Sequence, residues 1–373
     1  MKYIHESPRY PNFTWDCDQV MNSLAQVSVA QGLVLGKMQQ FGFGIQQEAV
    51  LNAMAEEITK SSEIEGEILN SDQVRSSLAR KLNIDLDKEV EPSRHIDGIV
   101  TAVMDAVNNY DKPLTRERLF GWHAALFPTG YSGPEKIIVA AYRDDRMRII
   151  SNKGYREVVH YEAPLPEKVH GQMHAFLRWL NRNGPENPLI KAAVAHLWFV
   201  IIHPFDDGNG RLTRVITEML LARAEKTPLR FYSMSTQIQK EKKRYYAVLE
   251  QTTTGGLDIT GWLCWFLECL ERAIAGSEEI IGKVLRKAEF WHKYASENFS
   301  PVQREIINRL FDGFVGNLTS GKVCKIFKVS LPTATRMLQD LTKRELLEMC
   351  GAGRSTHYVL AGDQSSGRLS SIK

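Results

Sequence analysis

The chain has 373 residues, enough for two or three globular domains at roughly 100–200 residues each. Hydrophobic residues make up 43% and charged residues 24%, which excludes wholesale disorder, and 47 Lys+Arg against 44 Asp+Glu leave +3, too near neutral for a dedicated nucleic-acid coat. Five cysteines (Cys17, Cys264, Cys269, Cys324 and Cys350) form an odd set with no CxxC pair, which argues against a disulfide framework or a zinc finger and favours a reducing cytosol. The opening residues lack the apolar core of a secretory signal, and the longest apolar-rich run, Ala192 to Ile202, is far short of the ~20 residues a membrane span needs. The expectation is a cytoplasmic protein with no membrane partner.

Taken in chain order, the pattern is mainly α. Helical periodicity runs from Trp15 to about Leu82, pauses at a charged connector from Asp85 to Glu91 closed by Pro92, and resumes over His95–Tyr110 and Thr115–Leu126. Between Phe127 and Pro166 turn residues accumulate, and Arg146–Ile150 and Glu157–Tyr161 flank Ser151-Asn152-Lys153-Gly154, which reads as a β-hairpin. Helices return over Pro166–Asn181, Pro188–Ile202, Arg211–Glu225, Gln237–Thr252 and Ile259 to about Lys287. The last part reads as helices Pro301–Asp312, Thr319–Phe327 and Pro332–Arg344, followed by a hairpin of Leu346–Met349 and His357–Leu360. That order is the order of a winged helix. The expected segments are an N-terminal helical domain over 1–90, a core over 91–285, a linker helix with the winged helix over 286–361, and a loose tail over 362–373.

The chemistry concentrates in His203-Pro-Phe-Asp-Asp-Gly-Asn-Gly-Arg-Leu-Thr-Arg214. Pro204 disfavours helical geometry in His203, so the apolar helix stops there and fixes the imidazole at its end. Gly208 and Gly210 flank Asn209 in a tight loop, and the helix expected to start near Arg211 points its free amides at that loop, which makes an anion site. Arg211 and Arg214 share a helical face at the same end, and Asp207 is the carboxylate placed to hold a hard cation against a phosphate. Rival phosphate motifs fail, since no GxxxxGK[ST] is present. An EF-hand starting at Asp207 fails as well, because Leu212 stands where glycine is required.

His203 to Arg214 resembles the Fic motif, HPFx[DE]GNGRxxR, at every specified position. The resemblance extends over about residues 95–270, with the hairpin at 143–161 in the place of the family's substrate-aligning flap. It implies a Fic-type helical core that transfers AMP from ATP to a hydroxyl side chain (Ser, Thr or Tyr) of a target protein. Carried over, His203 is the general base. Asp207 holds Mg²⁺ between the α- and β-phosphates. Gly208, Asn209 and Gly210 cradle phosphate oxygens, Arg211 pairs with the β-phosphate and Arg214 with the γ-phosphate. Ser61, Glu65 and Gly66 fit the family's inhibitory helix, [ST]xxxE[GN], which implies that Glu65 pairs with Arg214 and withdraws it from the γ-phosphate. Tyr245 and Tyr246 lie where the family often has aromatics near the adenine, with ordinary helix packing as the alternative.

Other features read as structural. His196, on the same helix face as His203, is expected to be a buried, satisfied histidine; His170 and His174 lack a third metal ligand; Trp262 and Trp265 are expected in the core. Ile149 and Ile150 are expected in the flap. Residues 301–360 carry nine Lys/Arg against five Asp/Glu. That modest excess leaves DNA contact through Thr333, Thr335, Arg336, Gln339 and Lys343 open, against protein contact or homodimer formation. Two rivals to AMP transfer remain: AMP removal with Glu65 positioning water, and a DNA-binding regulator whose core senses nucleotide.

Overall fold

In the computed structural model, residues 2–86, 89–153, 156–312, 314 and 316–361 are described. Contacts divide the chain into two compact units, one formed up to residue 85 and over 89–280, the other built mainly from residue 281 onward. Most of the segments expected at 1–90 and 91–285 therefore fall in the first unit, whereas 281–285 fall in the second. The loose tail expected at 362–373 lies outside the described residues, as do Gly154 of the hairpin turn and residues 87–88 of the connector.

The first unit opens with α1 (Cys17–Gln39), capped by Asp16, whose carboxylate accepts from the N–H groups of Asp18 and Gln19. The long helical stretch predicted to Leu82 breaks twice: α2 (Phe43–Ile64) starts after Gly42, and α3 (Ser71–Leu82) is capped by Asn70. Gly66 sits between α2 and α3 with φ +85°, a conformation that glycine adopts without a Cβ clash and that ends α2 at Glu65. The next helices are α4 (Arg94–Asn108) and α5 (Arg116–Leu126), and then come two hairpins, β1 (Tyr131–Ser132) with β2 (Glu135–Lys136) and β3 (Arg148–Lys153) with β4 (Arg156–Glu162). The second hairpin falls where the sequence predicts one. It pairs Ile149 with Tyr161 and Ile150 with Val159 across a register shift, and both isoleucines are exposed.

Five more helices follow: α6 (Pro166–Asn181), α7 (Pro188–Ile202), α8 (Asn209–Glu225), α9 (Met234–Lys240) and α10 (Lys242–Thr253). Every residue of α7 from Leu189 to Ile202 is buried apart from Lys191, as expected of a helix apolar all round. The centre of the core is α7 against α8, walled by Trp262 and Trp265, with the Trp262 Nε1–H donating to the Ala193 carbonyl at 2.8 Å. The helix predicted over Gln237–Thr252 is two, α9 and α10, broken at Glu241. Its start moves back to Met234 because the buried Glu57 carboxylate of α2 accepts from the Ser233 and Ser235 hydroxyls and the Ser235 N–H. No local pattern shows that partner.

The chain enters the second unit along α11 (Thr260–Lys293). That unit holds α12 (Pro301–Phe311), α13 (Ser320–Phe327), α14 (Leu331–Lys343) and the hairpin β5 (Leu347–Cys350) with β6 (His357–Leu360), in the order read from the sequence. Leu318 bridges Tyr358 of the hairpin, and Ile306, Ile307, Val323, Leu338 and Leu341 meet in its own core. Among the described residues no helix is long and apolar enough to cross a membrane.

Candidate functional site

The site forms where α7 gives way to α8. His203 ends α7 in the left-handed region (φ 49°) while its N–H still closes the last turn on the Phe199 carbonyl. A residue missed from sequence, Arg143, locks this corner. Its buried guanidinium donates to the carbonyls of His203 (2.7 Å), Asp145 (2.7 Å) and Pro164 (2.6 Å), and its own N–H donates to the Pro204 carbonyl. The imidazole Nδ1 lies 3.3 Å from the Val200 carbonyl. A carbonyl can only accept, so Nδ1 carries the proton and Nε2 keeps its lone pair. Burial pushes the His203 pKa down to about 4, and Glu65 and Asp207 lie within electrostatic reach of the ring. The imidazole is therefore neutral at pH 7.

The loop after His203 is rigid. Asn209 accepts the Phe205 N–H at 3.0 Å and donates to the Phe205 carbonyl at 2.8 Å, so its side chain pins the loop and only its backbone N–H is left for a ligand. The phosphate cradle expected of Gly208, Asn209 and Gly210 therefore excludes the Asn209 side chain. Gly208 stands at φ +81° with the Phe127 ring 2.8 Å from where a Cβ would lie, so both conformation and space require glycine. With α8 starting at Asn209 rather than Arg211, its first amides, which have no intrahelical partner, open onto this loop. Asp207 is held by the Ser132 hydroxyl and by the Gly208 N–H at 2.6 Å, and its carboxylate is 43% exposed. His123, also unmarked in the sequence, props it from beneath: Ala140 N–H donates to Nδ1, so the Nε2–H donates to the Asp207 carbonyl at 3.2 Å.

Both arginines of the motif meet carboxylates from the end of α2. Arg214 is 3% exposed and donates to the Ser61 Oγ, the Ser61 carbonyl and Glu65 Oε1, each at 2.8 Å. Burial works against its charge, yet Glu65 outweighs that and raises its pKa. The Glu65 carboxylate lies directly over the glycine loop, with Oε1 1.9 Å from where a Cβ on Gly210 would be. Arg211, 8% exposed, donates to Glu67 at 2.8 Å and to Asp207 at 3.4 Å and lies over the Phe127 ring. Beneath them a cavity of about 10 Å³ is lined by Glu57, Ser61, Glu218 and the two arginines together with the apolar Ile58, Ile99, Val103, Leu126 and Val215. Arg211 Nε, Arg214 Nη1 and Glu218 Oε1 have no hydrogen-bond partner among the described residues.

The structure separates the two tyrosines expected near an adenine. Tyr245 is 2% exposed and its hydroxyl bonds His196 Nε2 at 3.0 Å, so it belongs to the core with Trp262 and Trp265. The packing alternative holds for it because helix periodicity turns it inward. Tyr246 is 42% exposed and within electrostatic reach of Glu65 and Arg214. His196 is buried and satisfied by Thr217 and Tyr245. His170 packs edge-on to Tyr142, and no cluster of three metal-ligating side chains occurs among the described residues.

Residues 113–221 match the Fic/DOC family model, and residues 3–84 match a domain of unknown function (DUF4172). His203–Arg214 lies inside the span that matches the Fic/DOC model. It is 37% identical over 115 residues to a protein adenylyltransferase Fic of Nematostella vectensis, covering 30% of this chain and 25% of that protein. It is 28% identical over 239 residues to the namesake in Culex quinquefasciatus, covering 61% and 42%. The chain therefore spans less than half the length of these curated relatives. A solved Fic family protein from Desulfovibrio desulfuricans shares the fold at TM-score 0.53 and 21% identity, over 94% of this chain and 98% of that one.

Buried histidines set the pH dependence of stability. Burial holds His123 and His203 at about 4 and His196 at about 3, against an ordinary 6.5. Between pH 6.5 and 4 the unfolded chain binds more protons than the folded one, so this contribution is present above pH 6.5 and lost as pH falls. Glu218, pushed up to about 7 by burial, opposes it, since it keeps a proton only when folded between pH 4.5 and 7. Three histidines outweigh one glutamate, so the denaturation midpoint should drop from pH 7 to 4.5. His196→Gln should flatten that slope; a slope unchanged in this variant contradicts the assignment.

Proposed function

We propose that the chain is a protein adenylyltransferase that moves AMP from ATP to a hydroxyl of a target protein. The observation that carries this reading is a neutral His203, with Nε2 free, set beside the amide-lined start of α8 and two buried arginines. The curated relatives named as adenylyltransferases support the same reaction class.

In the proposed reaction the target hydroxyl oxygen bonds to the α-phosphorus, the bond from that phosphorus to pyrophosphate breaks, and His203 Nε2 takes the hydroxyl proton. The start of α8, Gly208 and Gly210 hold phosphate oxygens, Arg211 the β-phosphate and Arg214 the γ-phosphate, with Tyr246 at the adenine side. Asp207, a part-exposed carboxylate oriented by Ser132 and Gly208, fits a cation that takes its other ligands from phosphates and water, as Mg²⁺ does. Bound there, Mg²⁺ would offset charge on the leaving pyrophosphate. Main-chain pairing of an extended target segment with the β3–β4 hairpin would align its hydroxyl. Autoinhibition would follow from Ser61, Glu65 and Gly66: Glu65 holds Arg214 away from the γ-phosphate, and ATP binds with its α-phosphate turned from His203.

The five free cysteines support a cytoplasmic, reducing setting. The second unit we read as a winged helix, with segments 1–90 and 91–285 as the inhibitory and catalytic parts of the chain. A DNA contact for this unit is favoured by one feature, the exposed Arg336, Gln339 and Lys343 on α14.

Incubation with ATP, Mg²⁺ and an acceptor should add the mass of one AMP to the acceptor or to the protein itself. His203→Ala should lower that transfer by ~10²–10⁴-fold while ATP binding persists. Because His203 stays neutral down to about pH 4, the rate should be flat from pH 8 to 6. Near-normal transfer by His203→Ala removes this mechanism, and release of AMP from a modified protein without any transfer favours the hydrolytic reading. For α14, charge reversal at Arg336 and Lys343 should abolish DNA retention at low salt; an unmodified protein that retains no DNA assigns the unit to protein contacts.

A further inference from the structure

Glu65 is not the only carboxylate that the α2–α3 turn sends into the phosphate site. Two residues on, beyond the left-handed Gly66, Glu67 reaches the other arginine of the motif. Its N–H closes on the Ser62 carbonyl at 3.0 Å, which fixes the turn so that Glu65 and Glu67 face Arg214 and Arg211 at once. The second carboxylate oxygen of Glu67 is gripped from α4 by His95 Nε2 at 2.5 Å. The His95 Nδ1 lies 2.8 Å from the Leu126 carbonyl. Both ring nitrogens thus meet oxygen atoms, one on the carboxylate and one on the main chain. Glu67 is then held from two sides, by the Arg211 guanidinium and by the His95 ring.

We propose that Glu67 gates the β-phosphate subsite, making it a second, independent determinant of which nucleotides the site accepts. The inference rests on the reading of Arg211 as the β-phosphate ligand. A guanidinium grips a phosphate through two parallel N–H donors. In Arg211, Nη1 is committed to Glu67, Nη2 points to Asp207, and the plane is held over Phe127. A β-phosphate gains the Nη1–Nη2 fork of Arg211 by displacing Glu67, and until then it approaches a carboxylate of its own sign. An α-phosphate alone makes no such demand. Glu67 therefore weakens di- and triphosphates relative to monophosphates, whereas the Glu65–Arg214 pair acts one phosphate further out.

The test is calorimetric titration of the full chain with AMP, ADP and ATP, each with Mg²⁺. Glu67→Gln keeps the shape and a hydrogen-bonding group toward His95 but removes the charge. It should tighten ADP and ATP about fivefold, which corresponds to ~1 kcal/mol for a part-exposed ion pair, and leave AMP unchanged. Glu67→Ala should show the same pattern and serves if the glutamine variant does not fold. Thermal melting of each variant separates a loss of fold from a change in affinity. An ADP affinity unchanged or weakened in both folded variants overturns the gate while leaving the proposed transfer reaction in place. A chain that binds none of the three nucleotides overturns the reading of the site, and the gate with it.

Discussion

The arrangement of the site depends on one constraint: the Arg214 guanidinium, 3% exposed, has to find its counter-charge inside the protein. A cation so far from water is strongly destabilising unless it is paired and hydrogen-bonded. The end of α2 meets both needs from one turn, with Ser61 supplying a hydroxyl and a carbonyl and Glu65 a carboxylate. The demand of α8 for an anion therefore binds the DUF4172-matching segment to the Fic/DOC-matching span within a single compact unit. A ligand phosphate offers the same charge and the same acceptors. The proposed competition between Glu65 and the γ-phosphate follows from the two being chemically alike, and no additional device is needed.

The same logic extends to the remaining charges. Arg211 is balanced by Glu67 and Asp207, and Arg230, fully buried, contacts both Glu218 and Glu225. Burial holds back the Glu67 carboxylate, but His95 and Arg211 outweigh it and keep its pKa below the usual range. His203 is treated in the opposite way. It is kept neutral by burial, and its nearby charges do not reverse that. One short stretch thus contains an imidazole held uncharged beside two buried, carboxylate-paired guanidiniums, the combination that the proposed proton removal beside a polyanion would use.

Much of this was legible in the sequence because it is local. Twelve consecutive residues carry the imidazole, the glycines and both arginines, and Pro204 marks where α7 stops. The apolar run of α7 and the order of elements in the second unit follow from periodicity. The Fic resemblance, rather than periodicity, put Glu65 opposite Arg214. What stayed hidden is set by partners distant in the chain: Arg143 acts on a carbonyl 60 residues away, His123 on one 84 away, and Glu67 on a guanidinium 144 away. Each of these looks like an ordinary polar residue until the fold brings its partner close. Asn209 and Tyr245 show the converse, since both sit in or near a motif yet spend their side chains on the framework.

The central claim is that Glu65 and the γ-phosphate compete for Arg214. It is tested most directly by labelled AMP incorporation into an acceptor and into the protein itself, for the parent, Glu65→Gly, Arg214→Ala and the double variant at equal concentration. The account predicts that Glu65→Gly raises incorporation, that Arg214→Ala does not, and that the double variant behaves as Arg214→Ala alone, the non-additivity expected of two residues acting as one unit. No rise with Glu65→Gly for any acceptor, or a double variant as active as Glu65→Gly, would contradict it.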